Sequence, residues 1–437
     1  MKVRVTKTRL ALAAGALLLA VPAAGWLAAY PLDGYETTGI RRLRAYRMIL
    51  EGTMPGSLVL QPGARLSRNQ IKLRMKGVND TLDIPRTMAK DPELQAGIER
   101  ILRPRDPSYR MAILDITDPQ HVRYASVKQD EGFIPGSVGK LLVMTGLLNE
   151  LKKLHPNDVD ARIRILRDTK VTATDFVMPN SHTVPVVADD WSSVAHRSIR
   201  VGDTFTLWEW ADHMVSPSSN AAGSMVWREA LLLNEFGRAY PPSPEQAEAF
   251  LRNTPKSELT ERSIRILEEP LEEMGLDTNL LRLRTYFTRG AGRVIPGRGS
   301  FASPRTLVRF LLKMEQGQVV DEWSSLEIKR LMYFTRRRYR YAASPALNES
   351  AVYFKSGSLY RCVPEEGFEC GQYKGNAENL MHSVAVVESP AGGEHARVYL
   401  VSMMSNVLKV NSAGEHLEIG TQIHRLINSL HPDPSTP

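Results

Sequence analysis

Strand-like segments lie near both ends of the chain, and a long helical block separates them. Early in the chain, residues 109–116 and 121–128 have strand character and are joined by a turn-like composition at 117–120. Three further strand-like runs come late, at residues 351–354, 382–388 and 397–402. Residues 200–335 are mostly helical in pattern. This order predicts an α+β fold, in which both ends of the chain build one antiparallel sheet and the helical block is inserted as a second lobe.

Sequence patterns typical of helices lie before, between and after these strand-like segments. A helical pattern covers residues 91–102, and a second helix is expected to begin at Ser137 and to present a broad apolar face. Residues 206–209 form a capping box, and residues 412–415 precede a last amphipathic helix. The predicted order is therefore helix, two strands, helical block, three strands, helix.

The first 30 residues predict export. Four cations stand near the amino terminus: Lys2, Arg4, Lys7 and Arg9. An uncharged run rich in Ala and Leu follows, so we expect residues 1–30 to be a signal peptide or, since about 20 apolar residues can cross a bilayer, a retained anchor in the inner membrane. Residues 31–90 are then a membrane-proximal N-terminal extension and residues 91–432 the main domain. The expected location is periplasmic or otherwise extracytoplasmic.

Composition narrows the classes of partner. The 437 residues are 43% hydrophobic and 24% charged, which is typical of a globular chain, and the net charge of +8 suits a membrane surface or a cell-wall polymer better than a nucleic acid. The ten histidines lack zinc-site spacing, so no metal is expected. In an oxidising compartment Cys362 and Cys370 are expected to form a disulfide.

Ser137 and Lys140 place a hydroxyl and an amine three residues apart at a predicted helix start. Residues at this spacing share a helix face, so the amine can approach the hydroxyl. A serine becomes a nucleophile when a base takes its proton, and a lysine becomes that base when burial or nearby cations lower its pKa. Backbone N–H groups at a helix start can stabilise a developing oxyanion. The pair alone is also compatible with a helix cap and a solvated lysine.

Two further short motifs follow. Ser218-Ser219-Asn220 offers a second hydroxyl and an amide, which suit a proton relay and a contact to a substrate amide. Ser67-Arg68-Asn69 has the same pattern, but there we expect only a loop. Lys355-Ser356-Gly357 ends a predicted strand, where glycine allows a substrate backbone to approach and lysine can bind a carboxylate.

Together these motifs resemble those of the penicillin-recognising serine enzymes, which include class A β-lactamases and low-molecular-weight penicillin-binding proteins. That family carries Ser-x-x-Lys, Ser-x-Asn and Lys-Thr/Ser-Gly in the same order, and the likeness covers roughly residues 91–430. The resemblance implies a five-stranded antiparallel sheet with flanking helices and an inserted all-helical lobe at about residues 137–335, with the cleft between them.

The resemblance also implies a role for each motif residue. Ser137 would be the nucleophile, Lys140 its base, Ser218 the relay to the leaving amine and Asn220 a substrate ligand. Lys355 and Ser356 would bind the substrate carboxylate beside Gly357, and the backbone N–H groups of Ser137 and Ser358 would form the oxyanion hole. The implied partner is a small-molecule β-lactam or a peptidoglycan peptide, with no cofactor and no nucleic acid.

One departure from the family bears on turnover. Class A β-lactamases carry a glutamate that activates the water for acyl release, on a loop ahead of the region that corresponds here to residues 301–304. Between Thr278 and Met314 this chain has no Asp or Glu. We therefore expect an exported serine hydrolase that forms an acyl-enzyme on Ser137 and releases it slowly. The alternatives are a D,D-peptidase-like wall enzyme that β-lactams inhibit, and a degenerate envelope protein that keeps the pocket without turnover.

Two segments lie outside the motifs. Residues 360–379, which contain both cysteines, form an enlarged loop that either roofs the cleft or is a surface excursion. Residues 336–341 interleave arginine with tyrosine, for which we expect a solvated helix end or a contact to wall polymer or lipid phosphate.

Overall fold

A single five-stranded antiparallel sheet joins the two ends of the chain, as predicted. The computed structural model describes residues 30–333 and 338–432; the expected signal peptide or anchor, up to residue 29, lies outside them. The strands are β1 (Arg110–Asp115), β2 (Arg123–Val127), β9 (Ala351–Arg361), β10 (Glu378–Ser389) and β11 (Arg397–Asn406). Their order is β2-β1-β11-β10-β9, so β9 is an edge strand.

Both faces of this sheet are buried, which explains why its late strands are almost continuously apolar. On β10, Val384 and Val386 belong to the large core shared with the helical lobe, whereas Ala385 and Val387 belong to a second core. That second core is closed by helices from both ends of the domain, α3 (Pro92–Leu102) and α13 (Ala413–Leu430). Successive side chains of a strand point to opposite faces, so both sets of residues must be apolar.

The helical lobe is larger than the sheet and holds the helices that carry two of the motifs. Its helices are α4 (Lys140–Leu154), α5 (Val159–Asp168), α6 (Leu207–Val215), α7 (Asn220–Phe236), α8 (Pro244–Asn253), α9 (Lys256–Glu273), α10 (Arg289–Val294), α11 (Pro304–Glu315) and α12 (Glu322–Met332). Helix α7 packs against both α4 and α6. The predicted capping box at the start of α6 is present, with Thr206 and Glu209 exchanging both hydrogen bonds.

The lobe is not purely helical. It contains three two-stranded sheets, formed by β3 (Lys170–Thr172) with β6 (Thr204–Thr206), β4 (Thr183–Val187) with β5 (Val194–Ser198), and β7 (Leu281–Arg282) with β8 (Phe301–Ala302). Strands of two to five residues are too short to show a period, so sequence pattern did not predict them.

Residues 30–90 contact both the helical lobe and the five-stranded sheet. They contain α1 (Tyr35–Thr38) and α2 (Arg41–Leu50). Arg42 of α2 makes a fully buried bidentate ion pair with Asp212 of α6, at 2.5 and 2.6 Å. Arg74 reaches Glu388 of the central sheet at 2.6 Å. This segment therefore supplies charges that the buried carboxylates of both lobes require.

Two local expectations are corrected by the structure. The helix expected from Ser137 starts as a 3-10 turn, Gly136–Gly139, and the α-helix proper begins at Lys140. Residues 336 and 337 of the Arg- and Tyr-rich run lie outside the described residues. In the described part, residues 338–341, the expected solvated helix end is not found: α12 ends at Met332, and Arg340 and Tyr341 are buried. Across residues 30–333 and 338–432, no helix is both long and apolar enough to cross a membrane.

Candidate active site

The three motifs meet at the junction of the sheet and the helical lobe. Ser137 lies in the 3-10 turn ahead of α4, Ser218 lies in the turn between α6 and α7, and Asn220 is the first residue of α7. Lys355 lies on the edge strand β9. Three residues complete one turn of a 3-10 helix, so residues at i and i+3 eclipse, and this aligns Lys140 with Ser137.

The amine of Lys140 contacts three other residues of the site. Its Nζ lies 2.9 Å from the Ser137 hydroxyl, 2.6 Å from the Ser218 carbonyl oxygen and 2.8 Å from Asn220 Oδ1. Burial holds the pKa of Lys140 well below its ordinary value, and the charge of Lys355 lowers it further. Gly223 makes room for Phe287 and for this lysine, because a Cβ there would lie 2.7 Å from the Phe287 ring and 3.1 Å from Lys140 Cε.

A neutral amine, the form that the lowered pKa of Lys140 favours, can make all three of these contacts. A neutral amine has two N–H groups and one lone pair. The two carbonyl-type oxygens, of Ser218 and Asn220, can only accept, so they take the two N–H groups. The lone pair is then left for the hydroxyl of Ser137, which is the arrangement a general base needs.

Ser218 bridges the two lysines. Lys355 Nζ donates to its hydroxyl at 2.7 Å, and Lys140 Nζ lies 3.4 Å away on the other side. The serine has a φ of 61°, in the left-handed region that costs a non-glycine residue roughly 1 kcal/mol or more. The neighbouring Ser219 caps α7 and donates its backbone N–H to the carbonyl of His213 at 3.0 Å, which fixes this turn.

The pKa of Lys355 is lowered to about 7 by burial and, secondarily, by the charge of Arg340. This lysine therefore changes charge near neutral pH. A protonated Lys355 is a cation on the cleft strand and can hold an anionic group of a ligand.

The rest of the Lys-Ser-Gly motif packs tightly against its surroundings. The Ser356 hydroxyl lies 2.6 Å from the hydroxyl of Tyr339, and the Gly357 carbonyl accepts a hydrogen bond from Arg340 at 2.9 Å. A Cβ at Gly357 would lie 2.3 Å from the carbonyl oxygen of Pro135, so only glycine fits between β9 and the turn that carries the candidate nucleophile.

A cavity of about 570 Å³ opens directly onto Ser137. Its walls come from the turn ahead of α4, the segment before β4, the start of α7, the segment from β7 to β8, and the end of β9 with its following loop. The residues that line it are Ile134, Gly136, Ser137, Ser181, His182, Asn220, Leu283, Thr285, Tyr286, Phe287, Ser300, Ser358, Leu359, Tyr360, Gln372 and Tyr373. No carboxylate is among these described lining residues.

Phe287 and His182 are among the lining residues that the sequence did not predict. Phe287 stands on the segment where the family's water-activating glutamate was expected, and its ring centroid lies 4.9 Å from Lys140 Nζ. Burial and the two site lysines lower the pKa of His182 to about 3, so its imidazole is neutral in the cleft. Neither residue belongs to a recognisable motif. The absence of Asp and Glu from residues 278–314 pointed to the segment that contains Phe287, but not to His182.

Several arginines of that segment turn away to structural partners. Arg284 pairs with Glu268 at 2.8 Å, and Arg305 pairs with Asp130 at 2.7 Å. They anchor the segment to the lobe and do not line the cavity. The wall nearest Lys140 on this side is thus the apolar ring of Phe287.

The enlarged loop after β9 is part of the site. The predicted disulfide between Cys362 and Cys370 is present, with the Cα atoms 5.9 Å apart. Because Gln372 and Tyr373 line the cavity, the loop forms a wall of the cleft and is not a surface excursion. Among the described residues no cluster of three or more His, Cys, Asp or Glu side chains could hold a metal ion.

Comparison with known proteins bears on the fold. No protein family model and no curated protein matches the sequence. Among solved structures, TLA-3 extended-spectrum β-lactamase aligns with a TM-score of 0.51 at 13% identity, over 77% of this chain and 98% of that one. A β-lactamase from Sphaerobacter thermophilus aligns with a TM-score of 0.49 at 13% identity, over 78% and 98%. PBP-A gives a TM-score of 0.47 at 14% identity, over 80% and 98%.

The likeness to TLA-3 establishes the fold, and at this identity it establishes the fold alone. The chain has the fold of the penicillin-recognising serine hydrolases, as the motifs predicted.

Proposed function

We propose that this protein is an exported serine hydrolase that opens an amide, of a β-lactam or of a D-alanyl peptide, through an acyl-enzyme on Ser137. One observation carries the proposal: a continuous chain of contacts joins Ser137, Lys140, Ser218 and Lys355 around a buried amine whose pKa is lowered. A helix cap with a solvated lysine would have neither the burial nor the partners.

Acylation follows from these contacts. The neutral amine of Lys140 takes the proton of Ser137 as the hydroxyl oxygen attacks the substrate carbonyl, and the N–H groups of Ser137 and Ser358 stabilise the oxyanion. When the tetrahedral intermediate collapses, Ser218 gives its proton to the leaving nitrogen and regains one from Lys140. Protonated Lys355, with Ser356, binds the substrate carboxylate.

Acyl release lacks a comparable base. A water that attacks the acyl carbonyl from the side of residues 278–300 meets the ring of Phe287, and none of the described residues that line the cavity there carries a carboxylate. Glu365 of the enlarged loop is engaged by Lys409 and Asn376 and does not line it. Loss of a positioned general base costs about 10²–10⁴-fold in rate, so the acyl-enzyme should persist.

The test is mass spectrometry of the intact protein after mixing with a penicillin. We expect an adduct of one equivalent that maps to Ser137, decays slowly and is absent in Ser137→Ala. As a matched control, Ser67→Ala removes a half-buried serine that begins the chain's other Ser-x-Asn sequence and does not line the cavity. It should form the adduct like the unaltered protein.

The other readings give different outcomes. A persistent adduct together with cleavage of a D-alanyl-D-alanine peptide would identify a D,D-peptidase-like wall enzyme. The absence of any adduct from a folded protein would indicate a degenerate envelope protein. Rapid release would overturn the expectation of slow deacylation.

A further inference from the structure

Three arginines on the segment from α9 to α11 have no partner within the described protein. Residues 278–314 contain seven arginines and no Asp or Glu. Four of these arginines are engaged with carboxylates or backbone carbonyls: Arg282, Arg284, Arg305 and Arg309. The other three are exposed, and their side chains make no ion pair or hydrogen bond with the described residues. We call Arg289, Arg293 and Arg298 the rim arginines.

The backbone that carries the rim arginines is held on two sides. Thr288 donates its hydroxyl to the Phe176 carbonyl at 2.5 Å, which ties the start of α10 to the segment before β4. Lys256, at the start of α9, donates its amine to the Arg293 carbonyl at 2.8 Å. This lysine is itself exposed and adds a fourth cation to the surface. The positive groups therefore extend from a fixed backbone.

Two unpaired carboxylates lie near this surface and leave it positive. Asp175 adjoins it, since its carbonyl oxygen would lie 2.0 Å from a Cβ at Gly290. Glu261 of α9 lines a surface groove together with Pro296. Neither carboxylate forms an ion pair with a rim arginine. The three rim arginines and Lys256 outnumber these two carboxylates, so the surface attracts anions.

The arrangement suits a chain of anionic groups better than a lipid surface. Arg289 and Arg293 are four residues apart on α10, so they share a face with their Cβ atoms about 5–6 Å apart. Guanidinium groups bind carboxylate or phosphate oxygens in two-point contacts. A helix that lies on a membrane presents large apolar side chains to lipid, but here Ile295 is buried and Val294 is half-buried.

We propose that the rim arginines bind a flexible polymer that carries repeated phosphate or carboxylate groups, such as an anionic wall polymer. The same segment supplies Leu283, Phe287 and Ser300 to the wall of the cavity, so the bound polymer would lie close to the opening above Ser137. The inference goes beyond the proposed function and does not depend on it, because binding of the polymer uses none of the motif residues.

The experiment measures the fluorescence anisotropy of two end-labelled chains, poly(glycerol phosphate) and poly-L-glutamate, as the unaltered protein is added. Salt is varied from about 50 to 200 mM. We expect at least one chain to bind. The triple variant Arg289→Gln, Arg293→Gln, Arg298→Gln should weaken this binding at least about tenfold at the lowest salt concentration. The slope of log affinity against log salt should also become shallower by about 2, since each contact to a flexible polyanion contributes about 0.7.

A second triple variant provides a control with the same change in net charge. It is Arg100→Gln, Arg103→Gln, Arg425→Gln, which removes three exposed arginines without described partners at α3 and α13, on the opposite face of the sheet. This variant should keep the affinity within about threefold. Circular dichroism should show both variants folded, because exposed side chains contribute little to stability.

Binding of either chain supports the proposal, and the chain that binds more tightly identifies the anionic group. An equal loss of affinity in the two triple variants would overturn it, because binding would then reflect the charge of the whole molecule. No binding of either chain by the unaltered protein would also overturn it. Vesicles that contain phosphatidylglycerol are tested in parallel. Tighter binding to vesicles than to both chains, lost when the rim arginines are removed, would assign the surface to a membrane and overturn the polymer. Labelling of Ser137 by a penicillin is measured separately, so either proposal can fail without the other.

Discussion

Acylation of Ser137 should fall steeply in alkaline solution because of Lys355. Burial lowers the pKa of this lysine to about 7 in the free protein, and only its ammonium form can attract a substrate carboxylate. The protonated fraction is about one half at pH 7 and about 1% at pH 9. The second-order rate constant for acylation should therefore drop about 50-fold between these two pH values, with a slope of about tenfold per unit.

The substitution Lys355→Arg isolates this effect. A guanidinium keeps its charge above pH 12, so the alkaline decline should disappear even if the absolute rate is lower. A cation still stands beside Lys140 in this variant, so the pKa of Lys140 should stay lowered. As a control, Lys170→Arg changes an exposed lysine on β3 and should leave the profile unaltered.

The assay is stopped-flow acylation with a chromogenic cephalosporin at substrate concentrations below saturation, from pH 5 to pH 9.5. Under these conditions the profile reports groups of the free protein. A rate that stays flat between pH 7 and pH 9.5, or a decline that persists in Lys355→Arg, would refute the assignment of the alkaline limb to Lys355.

Three further predictions concern single residues. Ser218→Ala should slow acylation about 10²–10⁴-fold in a rapid-quench assay by removing the relay, and a rate within twofold of the unaltered protein would exclude that role. Phe287→Glu should shorten the lifetime of a preformed acyl-enzyme at least about tenfold by placing a carboxylate in the cavity that Ser137 lines. Phe287→Leu serves as control, and equal lifetimes by mass spectrometry would contradict the account of slow release. Arg42→Met should lower the free energy of unfolding by about 3–5 kcal/mol, measured in urea, because Asp212 is left buried and unpaired. The Arg42→Met, Asp212→Leu double variant should recover most of the loss, and the absence of recovery would contradict this explanation.

The sequence was informative where chemistry requires particular residues at short spacing. Ser137 and Lys140 lie within one helical turn, so their approach could be predicted without the tertiary fold. The late strands could be located as well, because runs buried on both faces leave a continuous apolar signature, as β10 does. The structure then placed the Ser218 hydroxyl between the amines of Lys140 and Lys355.

Other features depended on contacts distant in sequence. In the sequence, Tyr339, Arg340 and Tyr341 look like part of a solvated segment. Arg340 is nevertheless buried, because the Gly357 carbonyl and the Tyr373 ring are its partners. Phe287 and His182 become site residues only through the packing of their loops. The short strands of the helical lobe pair with one another over loops and carry too few residues for any period to be visible.

The ion pairs of residues 30–90 bear on how the molecule unfolds and how it can be divided. A chain that begins at residue 91 would keep every motif of the candidate site. It would nevertheless leave Asp212 of the helical lobe without its arginine, and it would take from Glu388 of the sheet one of its two cations, Lys329 being the other. Each lobe would then hold uncompensated negative charge in its interior. The two lobes and the segment before them should therefore melt as one cooperative unit, and a fragment cut to the length of an ordinary penicillin-recognising domain should not fold.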